Sequence, residues 1–149
     1  MALIDPPLEP PRMQRNEDEF RIIQRIAASA DDGPVLMLNM NRYSPEADFP
    51  NGDLYQRYIT GLGPFLEGAG GLLLCRMPVL GQAVGDQKVD ELVFAWYPKH
   101  RNFADLYLAP GAEENFRLKG LSVEYAVIHR CPGDCFPVYP HPKPADALD

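Results

Sequence analysis

The order of its short apolar segments constrains the fold of this chain more than any other feature. Residues 35–40, 71–84, 91–97 and 123–130 are short runs rich in Val, Leu and aromatic residues, which predicts four β-strands. Segments with apolar residues at helical spacing follow the first strand and precede the last. The order β-α-β-β-α-β predicts a four-stranded antiparallel sheet with helices on one face, because two right-handed crossings then interlock.

The first crossing helix is predicted over residues 53–66. Tyr55, Ile59 and Leu62 fall on one of its faces. Pro64 predicts a kink, because proline has no N–H to donate to the preceding turn. The helix should end at the glycine-rich turn that follows, since glycine tolerates a left-handed C-cap.

The second crossing is predicted in two pieces. Asn102 can cap a helix that runs through Tyr107, and a second piece covers residues 112–120 after a break at Pro110-Gly111. A further helix is predicted ahead of the core, over residues 16–30. The chain is therefore expected to be an α+β protein with an extra N-terminal helix.

The chain length of 149 residues suits one domain. We expect an N-terminal arm over residues 1–15, a single domain over 16–130 and a proline-rich tail over 131–149. The proline-rich stretches 5–11 and 136–144 favour extended or irregular structure.

The charge balance limits the partners. The formal net charge is -7, from 21 acidic and 14 basic residues. Nucleic acid and anionic membrane surfaces both require a basic footprint, so neither is expected as the main partner. The sequence contains no apolar run of the roughly 20 residues that cross a bilayer and no secretory signal, which predicts a cytoplasmic location.

The sheet face away from the helices needs a cover. The first strand is apolar without a gap, which is typical of a strand buried on both faces. A second copy of the chain can supply this cover without any other protein, because the same apolar face is then buried on both copies. We therefore expect a homodimer.

Several segments resemble one known family. They are PVLMLNM, the Tyr55-x-x-Tyr58 helix, GAGGLLLCR, ELVFAWYP and VEYAVIHR, within residues 34–130. They look like the domain of unknown function numbered 1330, which belongs to the dimeric α/β-barrel superfamily of ferredoxin-like folds. The resemblance implies a homodimer with its sheets face to face, and a small cavity between sheet and helices in each protomer. It implies no activity, because the superfamily includes cofactor-free monooxygenases, haem-degrading and dye-decolourising enzymes, muconolactone isomerase and small-ligand regulators.

Three residues are candidate catalytic groups. His129 shares a strand face with Tyr125 and can act as a general acid or base near neutral pH. Arg76 interrupts an apolar strand, so an inward side chain needs an anionic partner. Tyr58 can turn its hydroxyl into the cavity. Each has a structural alternative: a surface histidine, an outward arginine and a core tyrosine.

Five further residues are candidate ligand-binding groups: Asn39, Asn41, Arg42, Tyr55 and Trp96. The two asparagines share a strand face, and with Arg42 they can orient a polar or anionic substrate at the end of the first strand. The alternative is that the asparagines satisfy loop backbone groups and that Arg42 is solvated.

The other reactive side chains favour structural roles. Cys131 and Cys135 form a C-x-x-x-C pair without the further ligands that zinc requires, so we expect no metal and no cofactor. Cys75 is predicted in the core and His100 in a solvated loop.

Two functional hypotheses follow. The first is a cofactor-independent enzyme of oxygenase, isomerase or decarboxylase type that acts on a small, partly apolar molecule. The second is a homodimer that binds a small ligand, or has a structural role, without turnover. A third possibility, haem binding, needs an axial ligand such as His129 to face the cavity.

Overall fold

The computed structural model describes residues 15–135. The proline-rich stretches 5–11 and 136–144, within the predicted arm and tail, lie outside this range. The elements follow in the predicted order, with 3₁₀ turns η1 and η2: α1 (Glu17–Ala27), β1 (Val35–Tyr43), η1 (Pro45–Ala47), α2 (Asp53–Gly68), β2 (Leu72–Pro78), β3 (Glu91–Tyr97), α3 (His100–Ala104), η2 (Leu106–Leu108), α4 (Ala112–Ser122) and β4 (Val123–Pro132).

The four strands form one antiparallel sheet in the order β2-β3-β1-β4. This is the sheet of a ferredoxin-like fold, in which the first and third strands lie at the centre. The predicted fold class is confirmed: an α+β protein with a four-stranded antiparallel sheet and an extra N-terminal helix.

The pairing register separates the two faces of the sheet, because residues opposite each other point to the same side. One face carries the buried residues, which pack beneath the helices: Val35, Met37, Asn39, Asn41, Tyr43, Glu91, Val93, Ala95 and Tyr97. The other face carries mainly apolar residues of intermediate or high exposure, among them Leu38, Met40, Leu72, Met77, Leu92, Val127 and His129. Leu36 also lies on this face, but it is buried. This open face is apolar, as expected.

Two predicted strand boundaries are wrong. β1 continues to Tyr43 and not only to residue 40, so Asn41 and Arg42 also lie within the strand. The second predicted strand, residues 71–84 with a break or bulge near Pro78 and Gly81, is observed as β2, which ends at Pro78. The strand also has a register shift between Leu73 and Cys75, which turns Arg76 towards the helix side opposite Val93.

The helices differ from their predictions because their ends depend on contacts with residues distant in sequence. α2 runs without interruption through Pro64, where a kink is predicted. α3 begins at His100, because the Asp32 carboxylate accepts hydrogen bonds from the backbone N–H groups of His100 (2.6 Å) and Arg101 (3.1 Å). The predicted cap, Asn102, lies inside α3 and donates instead to the Ala69 carbonyl, 3.1 Å away.

Candidate functional site: a carboxylate cluster and a cavity behind α1

A buried carboxylate ties four elements together. Glu91, at the start of β3, has a side chain only 3% exposed. It accepts hydrogen bonds from the hydroxyls of Tyr43 in β1 (2.6 Å) and Tyr55 in α2 (2.9 Å), and from Nη1 of Arg76 in β2 (3.2 Å). Arg76 Nη1 also donates to the Tyr55 hydroxyl at 2.9 Å. We call these four residues the Glu91 cluster.

The environment keeps the tyrosines protonated. Burial, followed by hydrogen bonding to Glu91, raises the pKa of Tyr43 and of Tyr55 well above the ordinary value. Burial and the nearby Glu91 charge raise the pKa of Tyr58 in the same direction. The hydroxyls of Tyr43 and Tyr55 therefore act as donors to the carboxylate.

The geometry of the Glu91 cluster fits a structural role. Both carboxylate oxygens already accept bonds, and the ring of Phe49 packs on Tyr43 and Tyr55, with ring centroids 5.0 and 4.8 Å apart. Asn41 Nδ2 lies 3.4 Å from the Tyr43 hydroxyl, while its buried Oδ1 has no hydrogen-bond partner among residues 15–135. The carboxylate is therefore directed at its three protein donors and not at a cavity.

A cavity lies elsewhere, behind the extra helix. It has a volume of about 650 Å³, within the usual range of small-molecule sites. Its walls come from α1, the β1–β4 side of the sheet, α3, η2 and α4. The lining is mainly apolar: Phe20, Ile23, Met37, Phe103, Ala104, Leu106, Tyr107, Phe116, Tyr125, Ala126, Val127 and Ile128, with the polar residues Arg15, Asn16, Glu19, Lys119 and Arg130. We call it the α1 cavity.

The charged groups of the α1 cavity are not equivalent. Arg130 in β4 forms an ion pair with Glu19 in α1, and this hydrogen bond holds the pKa of Glu19 below its usual range. Arg15 pairs with Glu17 at 3.2 Å and lies over the Phe20 ring. The ammonium of Lys119, near the end of α4, forms no hydrogen bond or ion pair with the residues that the structure describes, and burial lowers its pKa.

The residues predicted for the site do not line this cavity. His129 lies exposed on the open sheet face, opposite Leu38, which removes the candidate axial ligand for haem on the helix side. Arg42 also points to the open side, where it pairs with Glu124 at 2.9 Å. Trp96 lies on the same side and donates its indole N–H to the Gly133 carbonyl at 3.0 Å.

Two of the predicted residues instead contact Glu91, and a third lies beside Tyr43. Arg76 points inward and has an anionic partner, as its inward orientation requires, and Tyr55 also donates to Glu91. Asn41 lies next to the cluster, near the Tyr43 hydroxyl. Tyr58 is buried beside them. Asn39 shares a buried face with Asn41, but its amide donates to the backbone carbonyls of Met37 and Val93. The proposed group of two amides and Arg42 therefore does not assemble.

Two important residues were missed. Glu91 shares its strand face with the apolar Val93 and Ala95. A carboxylate on an inward-facing, otherwise apolar strand face predicts a buried ion pair. Lys119 carried no comparable signal, because a lysine in the last turn of a helix is ordinary.

Two other predicted environments are wrong. His100 is 8% exposed, not solvated: its Nδ1 lies 3.0 Å from the Gly33 carbonyl, and its Nε2 has no hydrogen-bond partner among the described residues. Cys75 is exposed on the open side of the edge strand. Within residues 15–135, no group of three or more His, Cys, Asp or Glu side chains is placed to bind a metal ion.

Comparisons with known proteins support the fold and leave the activity open. No protein-family model and no curated protein matches the chain. It is similar to the crystal structure of RPA0582, a protein of unknown function from Rhodopseudomonas palustris, with a TM-score of 0.65 and 24% identity, covering 82% of this chain and 96% of that one. A structure of methylated RPA0582 gives a TM-score of 0.65 and 23% identity, covering 82% and 94%.

These matches define the class as a ferredoxin-like α+β protein. At such identity they show the fold alone, so membership of the family numbered 1330 stays a prediction. Among residues 15–135, no helix has the length and apolar character needed to cross a membrane.

Proposed function

We propose that this chain binds a small, largely apolar molecule in the α1 cavity. The observation that carries this proposal is the cavity itself, about 650 Å³ in volume and walled mainly by aromatic and aliphatic side chains. A well-formed apolar cavity with a few polar groups is the usual form of a small-molecule site. The Glu91 cluster, by contrast, has its polar atoms directed at one another.

The proposed assembly is a homodimer formed through the open sheet face. Leu72 and Met77 on this face are 43% and 45% exposed, and Leu38, Met40 and Leu92 lie between the edges of the same face. Exposed apolar surface of this kind favours association with a second apolar face. The cavity lies on the helix side, so each protomer keeps its own site in this arrangement.

The proposal is tested with N-phenyl-1-naphthylamine, a neutral apolar dye whose fluorescence rises in a dry site. The wild-type protein should bind it. Ala104→Phe places a ring into the cavity wall and should abolish the fluorescence increase, whereas Ala30→Phe, exposed beyond the end of α1, should leave it unchanged. Ala126→Met fills the cavity from the sheet side and serves if Ala104→Phe does not fold. Absence of dye binding to the wild-type protein, or equal binding by all variants, would overturn the proposal.

The second candidate is a cofactor-independent enzyme of isomerase, decarboxylase or oxygenase type. The lowered pKa of Lys119 favours it, because a desolvated amine in a cavity can accept a proton from a bound substrate. A bound molecule with an acidic C–H bond or a labile carboxylate should then be converted on prolonged incubation, as followed by mass spectrometry. Lys119→Met should stop the conversion, while Lys99→Met, at an exposed lysine outside the cavity, should not. If every ligand is recovered unchanged, the enzyme hypothesis is contradicted and the protein binds its ligand without turnover.

A further inference from the structure

We infer that the ligand of the α1 cavity carries a carboxylate, and that the Lys119 ammonium binds it. This inference rests on the proposed function and adds the chemical class: an apolar molecule of aromatic or short-chain type with one anionic group.

The cavity lining has more cationic than anionic side chains, although the chain as a whole is net negative. The chain has 21 acidic and 14 basic residues, but the cavity is lined by three cationic side chains, Arg15, Lys119 and Arg130, and one carboxylate, Glu19. A surplus of positive charge within an apolar wall attracts an anion, because Coulomb attraction is stronger where water is excluded.

Only one of the three lining cations lacks an acidic partner within residues 15–135. Arg130 is neutralised by Glu19, and Arg15 by Glu17. Lys119 is half-buried among Phe116 and the other apolar lining residues, with no carboxylate in contact. A cation partly removed from water without a counterion destabilises the fold, so a residue of this kind fits a site that a ligand completes.

The titration of Lys119 agrees with this geometry. Burial lowers its pKa from the ordinary value of 10.5, and the binding of an anion should raise it again. Binding of a carboxylate is therefore coupled to proton uptake, and the affinity should fall as pH rises past the lowered pKa. The other titratable side chains on the cavity's side of the sheet are Glu19, Tyr107 and the two arginines; Tyr125 also borders the cavity, but its ring lies under Arg42 on the open side.

The test compares 4-phenylbutyrate with 4-phenylbutanol, which differ at the terminal group alone. Calorimetry on the full chain should show the acid binding more tightly than the alcohol. Lys119→Met should weaken the acid by about 10- to 100-fold, the range expected for a hydrogen bond to a charged group, and change the alcohol less than about threefold. Lys99→Met removes an exposed lysine outside the cavity and is the matched control, expected to bind both ligands as the wild type does.

Lys119→Arg separates charge from titration. Its guanidinium stays charged, so the acid should still bind while the loss of affinity at alkaline pH disappears. The inference is overturned if the alcohol binds as tightly as the acid, or if Lys119→Met affects both ligands equally. If neither ligand nor the neutral dye binds the wild-type protein, the proposed function itself fails.

Discussion

At the scale of single residues, Glu91 has the most demanding environment in the described part of the chain. Its carboxylate is buried and stays satisfied by donors from three other elements: Tyr43, Tyr55 and Arg76. Removing one member of such a group leaves the others without partners, and an unpaired buried polar group costs more than the bond itself contributes.

Glu91→Gln should therefore lower the free energy of unfolding by about 2–4 kcal/mol, because the amide loses the ion pair and directs an N–H at a donor. Urea denaturation measures this loss. Glu124→Gln breaks the less buried pair with Arg42 on the open side and should cost less than about 1 kcal/mol. Equal losses for the two variants would show that the Glu91 cluster contributes no more than a surface pair.

The buried tyrosines give a pH dependence. Burial raises the pKa of Tyr43, Tyr55, Tyr58 and Tyr97 above the ordinary value of 10.0. The folded state then holds protons that the unfolded state releases, so the stability they contribute is complete below pH 10 and is lost as pH rises through the higher folded pKa values.

We expect these four tyrosines to ionise only as the chain unfolds. Tyrosinate absorbance should rise in a step that coincides with the loss of far-ultraviolet circular dichroism in alkaline solution. Tyr55→Phe should make that step smaller by one tyrosine. Ionisation of all seven tyrosines in a chain that keeps its circular dichroism would contradict the prediction.

Sequence predicts these residues only in part. The period-2 pattern of β1 places Asn39 and Asn41 on one face, as observed. The same pattern does not predict the ion pair between Arg42 and Glu124, because that pair depends on β4 lying beside β1. Lys119 is similar: its isolation follows from the position of α1, β4 and η2 around it, which no local pattern contains.

At the scale of elements, the order of the apolar segments predicts the topology correctly. The sequence does not predict where each helix and strand ends. Apolar periodicity identifies the strands and crossing helices because each must bury one face. The ends are set by partners distant in sequence, such as Asp32, which caps α3. The α1 cavity depends on the extra helix, whose position against α3 could not be inferred from its own amphipathic pattern.

Two glycines test the packing of α2 and β2. Gly61 in α2 is exposed, and a Cβ there meets no atom within 4 Å; at Gly71, before β2, a Cβ would lie 2.7 Å from the Trp96 carbonyl oxygen and from Tyr97 Cδ1. Gly61→Ala should raise the free energy of unfolding by about 0.5–1 kcal/mol, because alanine loses less backbone entropy in a helix. Gly71→Ala should lower it by about 1–3 kcal/mol through overpacking.

Urea denaturation of the two variants beside the wild type checks both signs. The pair is matched, since each adds one methyl group at a glycine. If Gly71→Ala were neutral, β2 would have room to move away from β3, and the close approach would not be a constraint on the fold.

At the scale of the whole molecule, the two faces of the sheet differ in what covers them. The helix side buries its residues beneath α2 and α4 and holds the α1 cavity. The open side presents Leu72 and Met77 at its edge and Leu38 near its centre. A ferredoxin-like sheet with this distribution satisfies one face within the chain and needs further cover for the other.

The homodimer prediction follows from that asymmetry. In sedimentation experiments at micromolar concentration, the wild-type chain should have twice the monomer mass of 16.7 kDa. Leu38→Arg places a charge at the centre of the proposed interface, where it would be desolvated without a partner, so this variant should sediment as a monomer. Thr60→Arg makes the same change in charge on the exposed side of α2 and should remain a dimer.

The two readouts are independent, because the α1 cavity lies on the opposite side of the sheet. Leu38→Arg should keep its circular dichroism and still bind N-phenyl-1-naphthylamine, since each protomer encloses its own cavity. A wild-type chain that sediments at 16.7 kDa would refute the dimer and leave the cavity proposal intact. Loss of dye binding together with the dimer would instead indicate that the second copy holds α1 and the sheet in the geometry that forms the cavity.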